Sequence, residues 1–296
     1  MKILLIANPL SGPWYGRRLR HLQTACAARG LQADLRLTAE PGDARQIAAA
    51  ADLSRYDAVV AAGGDGTLFE VLNGMYPKPA AERLPLGVVP IGTGNAFARH
   101  IGLQAGDIDR AFDIIAAGRR RMVDIAEIEH AAGRCYSLNI TGLGFATDAA
   151  LSAAHFKALG GLAYSAGSLL RMVNPAAFTV RFHADGEDIT SPCLLLEIAN
   201  TRYTGSRFLI APEARFNDGL LDWILVKPMP RRRLLRLFPS VYRGRHVAYP
   251  EVLTGRAGEI EILSPAAYPL TIDGEIIGRT PARIRCLPGD LSLLCA

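Results

Sequence analysis

The chain has no CxxC pair, no histidine cluster and no apolar run of membrane-spanning length, and each absence removes a class of function. Its five cysteines (Cys26, Cys135, Cys193, Cys286, Cys295) are an odd, scattered set, which offers no disulfide framework and fits a reducing compartment. The six histidines lie far apart, without metal-ligand spacing, and read as surface or core residues. No GxSxG elbow occurs, so hydrolase chemistry has no support. Helix-turn-helix, zinc-finger and aromatic-interleaved basic patterns are missing too, so nucleic acid is not an expected partner. The opening Met1-Lys2-Ile3-Leu4-Leu5-Ile6-Ala7 is too short for a signal core, and Asn8-Pro9 stops it. The expectation is a cytoplasmic protein, at most peripheral to the inner face of the membrane.

What is present is bulk and glycine loops. At 296 residues, half of them apolar, the chain can bury the cores of two ordinary domains. There are 33 basic and 28 acidic residues, a formal charge of +5. Arginines cluster at Arg17, Arg18 and Arg20, at Arg119 to Arg121, and at Arg231 to Arg233 with Arg236. Such clusters are usually solvated faces, though they suit anionic lipid or nucleotide phosphates as well.

The stretch Ala61-Ala62-Gly63-Gly64-Asp65-Gly66-Thr67 organises the rest. Asp57-Ala58-Val59-Val60 before it reads as a buried strand end, while Leu68, Val71, Leu72 and Met75 after it fall on one face of a helix. A strand that breaks on glycines and restarts as a helix aims unpaired N–H groups and a positive helix end at one spot. That favours phosphate. Asp65 tolerates phosphate only with a cation between them, so the stretch implies a nucleotide held with magnesium. A plain strand-to-helix turn is the alternative, but it needs only one or two glycines.

Taken in order, strands at Ile3–Ile6, Leu35–Thr38, Asp57–Val60 and Leu86–Pro90 alternate with helices, one of them with Asp43 as a plausible N-cap. That alternation argues for a parallel sheet covered on both faces, with ligands at the carboxyl ends of its strands. Those ends carry Asn8 and Ser11, Thr38, the Gly63–Thr67 loop and Gly92-Thr93-Gly94-Asn95. After Arg121 the pattern turns to β, interrupted by two helical pieces at about 146–156 and 161–173. Alternation over Phe178–His183 before Asp185-Gly186 signals a hairpin. The expected fold is therefore an α/β parallel-sheet nucleotide-binding domain over residues 1–122 and a mostly antiparallel β domain over 123–296. Leu234, Leu235, Leu237 and Phe238 share a helix with Arg231, Arg232, Arg233 and Arg236, an amphipathic pattern more usual for a packed helix with a wet face than for a lipid anchor.

With these loops in hand, the sequence resembles the diacylglycerol kinase catalytic-domain family, particularly its soluble bacterial, sphingosine-kinase-like lipid kinases. Asn8-Pro9-x-Ser11-Gly12, Gly63-Gly64-Asp65-Gly66-Thr67, Gly92-Thr93-Gly94-Asn95, Pro212-x-Ala214-x-x-Asn217-Asp218-Gly219-Leu220-Leu221-Asp222 and Ile272-Asp273-Gly274-Glu275 occur in that family's order. NAD kinases and phosphofructokinases share the GGDG loop, and the first domain is expected to be like theirs. Phe69 departs from the pattern where many relatives carry asparagine, and Tyr203–Arg207 lacks part of a usual glycine run.

The resemblance implies transfer of the γ-phosphoryl of ATP to a lipid hydroxyl, with Mg2+, in a cleft between the domains. By family pattern Asn8, Thr38, Gly63, Gly64, Asp65, Gly66, Thr67, Gly92, Thr93, Gly94 and Asn95 would hold ATP. Asp218 with the carbonyls of Arg215 and Leu220 would hold a magnesium ion. Asp273 would be the general base, with Glu275 and Asp65 beside it in the catalytic set. The implied partner is a lipid substrate at a membrane surface; a homodimer is compatible with the sequence, which does not fix the oligomeric state. The residues alone leave Asp273-Gly274 open between a catalytic turn and an ordinary Asp-Gly hairpin, and Asn217-Asp218-Gly219 open between a hard-cation site and a turn. Two alternatives stand beside the lipid kinase: a small-metabolite kinase of the NAD kinase type, and a nucleotide-binding regulator without catalysis.

Overall fold

The structure is a computed structural model that describes residues 1–9, 15–144, 147, 176–205, 207–264 and 267–296. Ser11, Gly12 and the helical pieces expected at about 146–156 and 161–173 lie outside the described residues, apart from Thr147. The chain divides into two compact units, Met1–Val123 with Gly289–Ala296, and Asp124–Pro288. The expected second domain runs from 123 to 296, whereas the last eight residues group here with the first unit, because one strand is shared.

The first unit alternates β1 (Lys2–Ala7), α1 (Tyr15–Ala28), β2 (Gln32–Leu37), α2 (Asp43–Ala50), β3 (Ala58–Gly63), α3 (Asp65–Met75), β4 (Leu86–Pro90), α4 (Ala96–His100) and α5 (Ile108–Ala117). The strands pair in parallel in the order β2-β1-β3-β4. Ile3 to Ala7 and all of β3 are buried, as strands covered on both faces must be. The α3 stripe Leu68, Val71, Leu72, Met75 is buried as its spacing requires, and in α5 Ile108, Ala111, Phe112 and Ile115 do the same.

Asp43 is not the N-cap of α2. It is the first helical residue, and its carboxylate accepts from the Ala39 and Glu40 N–H groups (2.7 and 3.0 Å). Glu70, from α3, takes the capping task by accepting from the N–H groups of Gly42 and Ala44 (2.9 and 3.1 Å). An orphan helix N–H donates to any oxygen that packing delivers, and neighbouring sequence does not reveal an acceptor 26 residues away.

In the second unit the described strands are β5 (Arg120–His130), β6 (Gly133–Ser137), β7 (Ile140–Gly144), β8 (Phe178–Ala184), β9 (Glu187–Cys193), β10 (Leu195–Ala199), β11 (Tyr203–Thr204), β12 (Phe208–Leu209), β13 (Leu221–Val226), β14 (Val252–Ala257), β15 (Glu259–Ile262), β16 (Pro269–Ile272), β17 (Glu275–Arg279) and β18 (Ala282–Leu294), with α6 (Arg231–Val241). An antiparallel sheet runs β14-β13-β10-β7-β16-β17. Opposite it, β9, β8, β15 and the first half of β18 pair antiparallel. The Phe182 and Trp223 rings meet edge-on between the two layers, 5.5 Å apart. The end of β18 belongs to the first unit, where Leu293 pairs in parallel with Leu86 of β4. Among the described residues no helix is long and apolar enough to cross a membrane. All five cysteines are buried, and none forms a disulfide.

Candidate active site

In the first unit the four expected strand ends lie side by side. Register places Ala7 beside Leu37 and Ala62, and Gly63 beside Pro90. Just past them the Asn8 N–H donates to Ala62 O (2.9 Å), and the Thr38 N–H to Ala7 O (3.1 Å). Asn8, Thr38, Gly63–Thr67 and Gly92–Asn95 therefore share one edge of one sheet.

The two glycine loops fit against each other by their lack of side chains. A Cβ on Gly92 would stand 2.3 Å from the Gly64 Cα, and one on Gly63 would stand 2.3 Å from Thr67 Oγ1. Neither leaves room for a methyl group. Gly63 O accepts from the N–H groups of both Ile91 and Gly92 (3.1 and 3.0 Å), so the loops are bonded as well as packed. Asn95 holds a left-handed conformation (φ 54°) and donates its side-chain amide to Gly92 O (2.6 Å). Gly66 and Thr67 lie in the first turn of α3, where the helix offers their N–H groups no acceptor.

Asp65 has a partner the sequence did not suggest. Its carboxylate accepts from the N–H groups of Ala96 and Phe97 at the start of α4 (2.9 and 3.1 Å). It thereby ties the GGDG loop to the second glycine loop, and its charge is met by helix donors. Arg18 reaches the same edge, donating to Ile91 O (2.5 Å). The arginine cluster at 17–20 was the signal for it, although a cluster alone does not say which member points inward.

In the second unit Asp273 and Gly274 form the two-residue turn of the β16–β17 hairpin, with φ of 49° and 93°. Both positive angles are those of a type I′ turn, so the hairpin reading holds locally. The carboxylate nevertheless does more than close a turn. Its Oδ1 accepts from Ser137 Oγ (2.5 Å) and from the Asn139 and Ile140 N–H groups (both 3.0 Å), and Oδ2 accepts from the Leu138 N–H (3.1 Å). Burial pushes the carboxyl up to about 6, and those four donors pull against it. Glu275, two residues on, is exposed at the start of β17.

Arg215, Asp218 and Leu220 share the turn before β13. The Gly219 N–H donates to Asp124 Oδ2 (2.7 Å), and the Asp124 N–H to Phe216 O (2.6 Å), so a buried aspartate staples the turn from β5. Arg256 on β14 ion-pairs with Asp218, and its Nε lies 3.6 Å from Asp222. Burial raises the Asp222 carboxyl to about 6. By donor type, one carboxylate and two carbonyls suit a hard cation. As folded, the guanidinium meets the charge of Asp218, so a divalent ion at the turn would have to displace it. Among the described residues no cluster of three or more His, Cys, Asp or Glu side chains could hold a metal.

These two turns are joined. The buried Asn200 side-chain amide donates to Asp124 O (2.8 Å) and to Leu138 O (3.0 Å), and Leu138 in turn donates to Asp273. Thr201 fastens the same loop through Asn139 Oδ1 (3.0 Å). Ser137, Asn200 and Arg256 escape sequence reading because nothing local distinguishes them from other polar residues in or beside strands.

Comparison with known proteins covers the whole chain. The diacylglycerol kinase catalytic domain model matches residues 2–128, and the YegS C-terminal NAD kinase beta sandwich-like domain model matches residues 139–295. A protein named diacylglycerol kinase from Mycobacterium tuberculosis (strain ATCC 25618 / H37Rv) is 31% identical, with 99% of this chain and 94% of that protein covered. One of the same name from Bacillus subtilis (strain 168) is 30% identical over 94% of this chain and 90% of its own. A crystal structure from Bacillus anthracis str. Sterne, described as a candidate diacylglycerol kinase, superposes with a TM-score of 0.83 at 26% identity, covering 100% of this chain and 97% of that one. Paired glycine loops on a parallel sheet, an anchored late aspartate and end-to-end similarity lead to one statement: the chain belongs to the diacylglycerol kinase family of lipid kinases.

Proposed function

We propose that this protein transfers the γ-phosphoryl of ATP to the hydroxyl of a lipid, diacylglycerol or a close relative, drawn from a membrane surface. The first unit holds the nucleotide, through loop N–H groups and the start of α3. Magnesium arriving with the triphosphate would neutralise its charge, and a further ion held by the Asp218 carboxylate with the Arg215 and Leu220 carbonyls would have to displace Arg256.

Asp273 receives the proton of the attacking hydroxyl. Its Oδ1 is saturated by three donors while Oδ2 carries one, so Oδ2 is the oxygen with capacity to accept. A carboxyl at about 6 is ionised at neutral pH yet basic enough to matter. Asp65 acts as a positioning residue that holds the two glycine loops together. The observation that carries the reading is the buried, four-donor seat of Asp273, since an ordinary hairpin aspartate needs no such enclosure.

Incubation with ATP, magnesium and a panel of diacylglycerols and sphingoid bases, followed by intact-mass detection, tests it. A phosphorylated lipid is the expected product. Turnover of NAD without lipid would overturn the assignment in favour of a soluble-metabolite kinase, and nucleotide binding with no transfer would favour a regulator.

A further inference from the structure

We propose that the outward face of α6, with the turn after it, is a docking surface for an anionic phospholipid bilayer. The proposal rests on the lipid-kinase reading for its purpose, and on the helix itself for its evidence. Leu234, Leu237 and Val241 point α6 into the core, where they pack in clusters with Leu194, Leu195, Ile224 and Val226 of the neighbouring strands. The inward side is therefore already used.

At 100° per residue, Arg232 and Pro239 stand opposite the buried stripe, with Arg236 on one flank and Leu235 and Arg231 on the other, while Tyr242, just past the helix, packs against the Phe208 and Phe238 rings. Leu235 is 42% exposed and Tyr242 39%. Arg243 and Arg245 extend the charge past the helix end, and both are exposed. From Lys227 to Pro250 there are seven cations and no carboxylate. The nearest acid, Glu251, is taken by Arg233 (3.1 Å).

A helix face that merely meets water usually carries both signs of charge. This one carries a single sign around an exposed leucine. Cations beside an exposed apolar side chain are what a helix needs to lie at the headgroup boundary: arginines meet lipid phosphates while leucine enters the acyl edge. Nucleic acid would use the charge and leave the leucine without a role.

The test is co-sedimentation of the full chain with vesicles of phosphatidylcholine containing phosphatidylglycerol, against phosphatidylcholine alone, at low and high salt. The wild type should pellet with the anionic vesicles, less so at high salt. Arg232→Glu with Arg236→Glu should lower the bound fraction by about tenfold or more, and Leu235→Ser by a smaller factor that persists at high salt. Turnover of a short-chain, detergent-dispersed diacylglycerol should be unchanged in both variants, which also shows that they are folded. Vesicle binding equal to wild type in the double variant, failure of the wild type to pellet, or arginine-dependent binding to duplex DNA instead of vesicles would each overturn the docking surface. Loss of lipid turnover on every substrate, with arginine-dependent vesicle binding intact, would overturn the kinase reading and leave the surface standing.

Discussion

The two units meet charged chemistry in opposite ways. In the first, the proposed working groups are backbone N–H donors, and the side chains around them are mostly absent: Gly63 and Gly92 have no room for a Cβ. In the second, the proposed working group is a carboxylate, and everything around it is present: Ser137, Leu138, Asn139 and Ile140 enclose Asp273. Phosphate brings its own charge and needs only donors that can come close. A proton acceptor must supply charge, and a buried charge is stable only where donors surround it. A site made of space should therefore fail by steric change, and a site made of charge by electrostatic change.

The largest effect tests the charged half. Asp273→Asn should cut turnover by about a thousandfold, within the usual range for a lost general base, while nucleotide affinity measured by calorimetry stays near wild type. If affinity and turnover fell together, Asp273 would be a structural anchor. In the wild type, kcat/KM should rise with pH along an acid limb near 6, as the Asp273 carboxyl ionises.

Next comes the steric half. Gly92→Ala should weaken nucleotide binding by about ten- to a hundredfold, the equivalent of an overpacking strain of about 1–3 kcal/mol, because its Cβ would stand 2.3 Å from backbone. Gly64→Ala, whose Cβ would rest at an ordinary 3.5 Å from Gly92 Cα, should change binding by no more than about threefold. Equal losses in the two variants would break the idea that space makes this site.

A smaller effect sharpens the second unit. Asn200→Ala removes the amide that bonds Asp124 O and Leu138 O, and should lower kcat by about tenfold at unchanged nucleotide KM. The acid limb of the pH profile should move as well, a change that simple loss of stability would not produce.

The smallest concerns a carboxyl outside the proposed chemistry. Glu197, at the centre of β10, is buried with Oε2 unpartnered, and burial raises it to about 8. The folded state thus holds a proton that the unfolded chain releases. Its contribution to stability is full below about pH 4 and is lost as pH rises toward 8. Tm should decline across that window, and Glu197→Gln should flatten the decline. Parallel Tm curves for the two proteins would show that Glu197 is not the group responsible.

Much of the first unit was legible because its signals are local. The α3 stripe, the buried β3 and the glycines between them lie within 20 residues of one another, and their spacing alone predicts strand, loop and helix. The partners of those signals were not legible. Glu70 capping α2, Asp65 capping α4 and Arg256 on Asp218 each join elements 26 to 38 residues apart. A hydrogen-bond donor does not record in its own neighbours which distant acceptor will reach it.

Two short turns separate what each level decides. Asp185-Gly186 and Asp273-Gly274 are the same dipeptide in the same hairpin conformation, with φ of 46° and 91° in one, 49° and 93° in the other. The sequence by itself determined that both would turn, since only residues tolerant of positive φ allow a two-residue hairpin. Tertiary structure decided that Asp185 lies exposed, bonded to Gly258 and Glu259, whereas Asp273 is enclosed by four donors and raised toward neutrality. Conformation at a turn is a property of two residues. The basicity of a carboxylate belongs to everything packed around it.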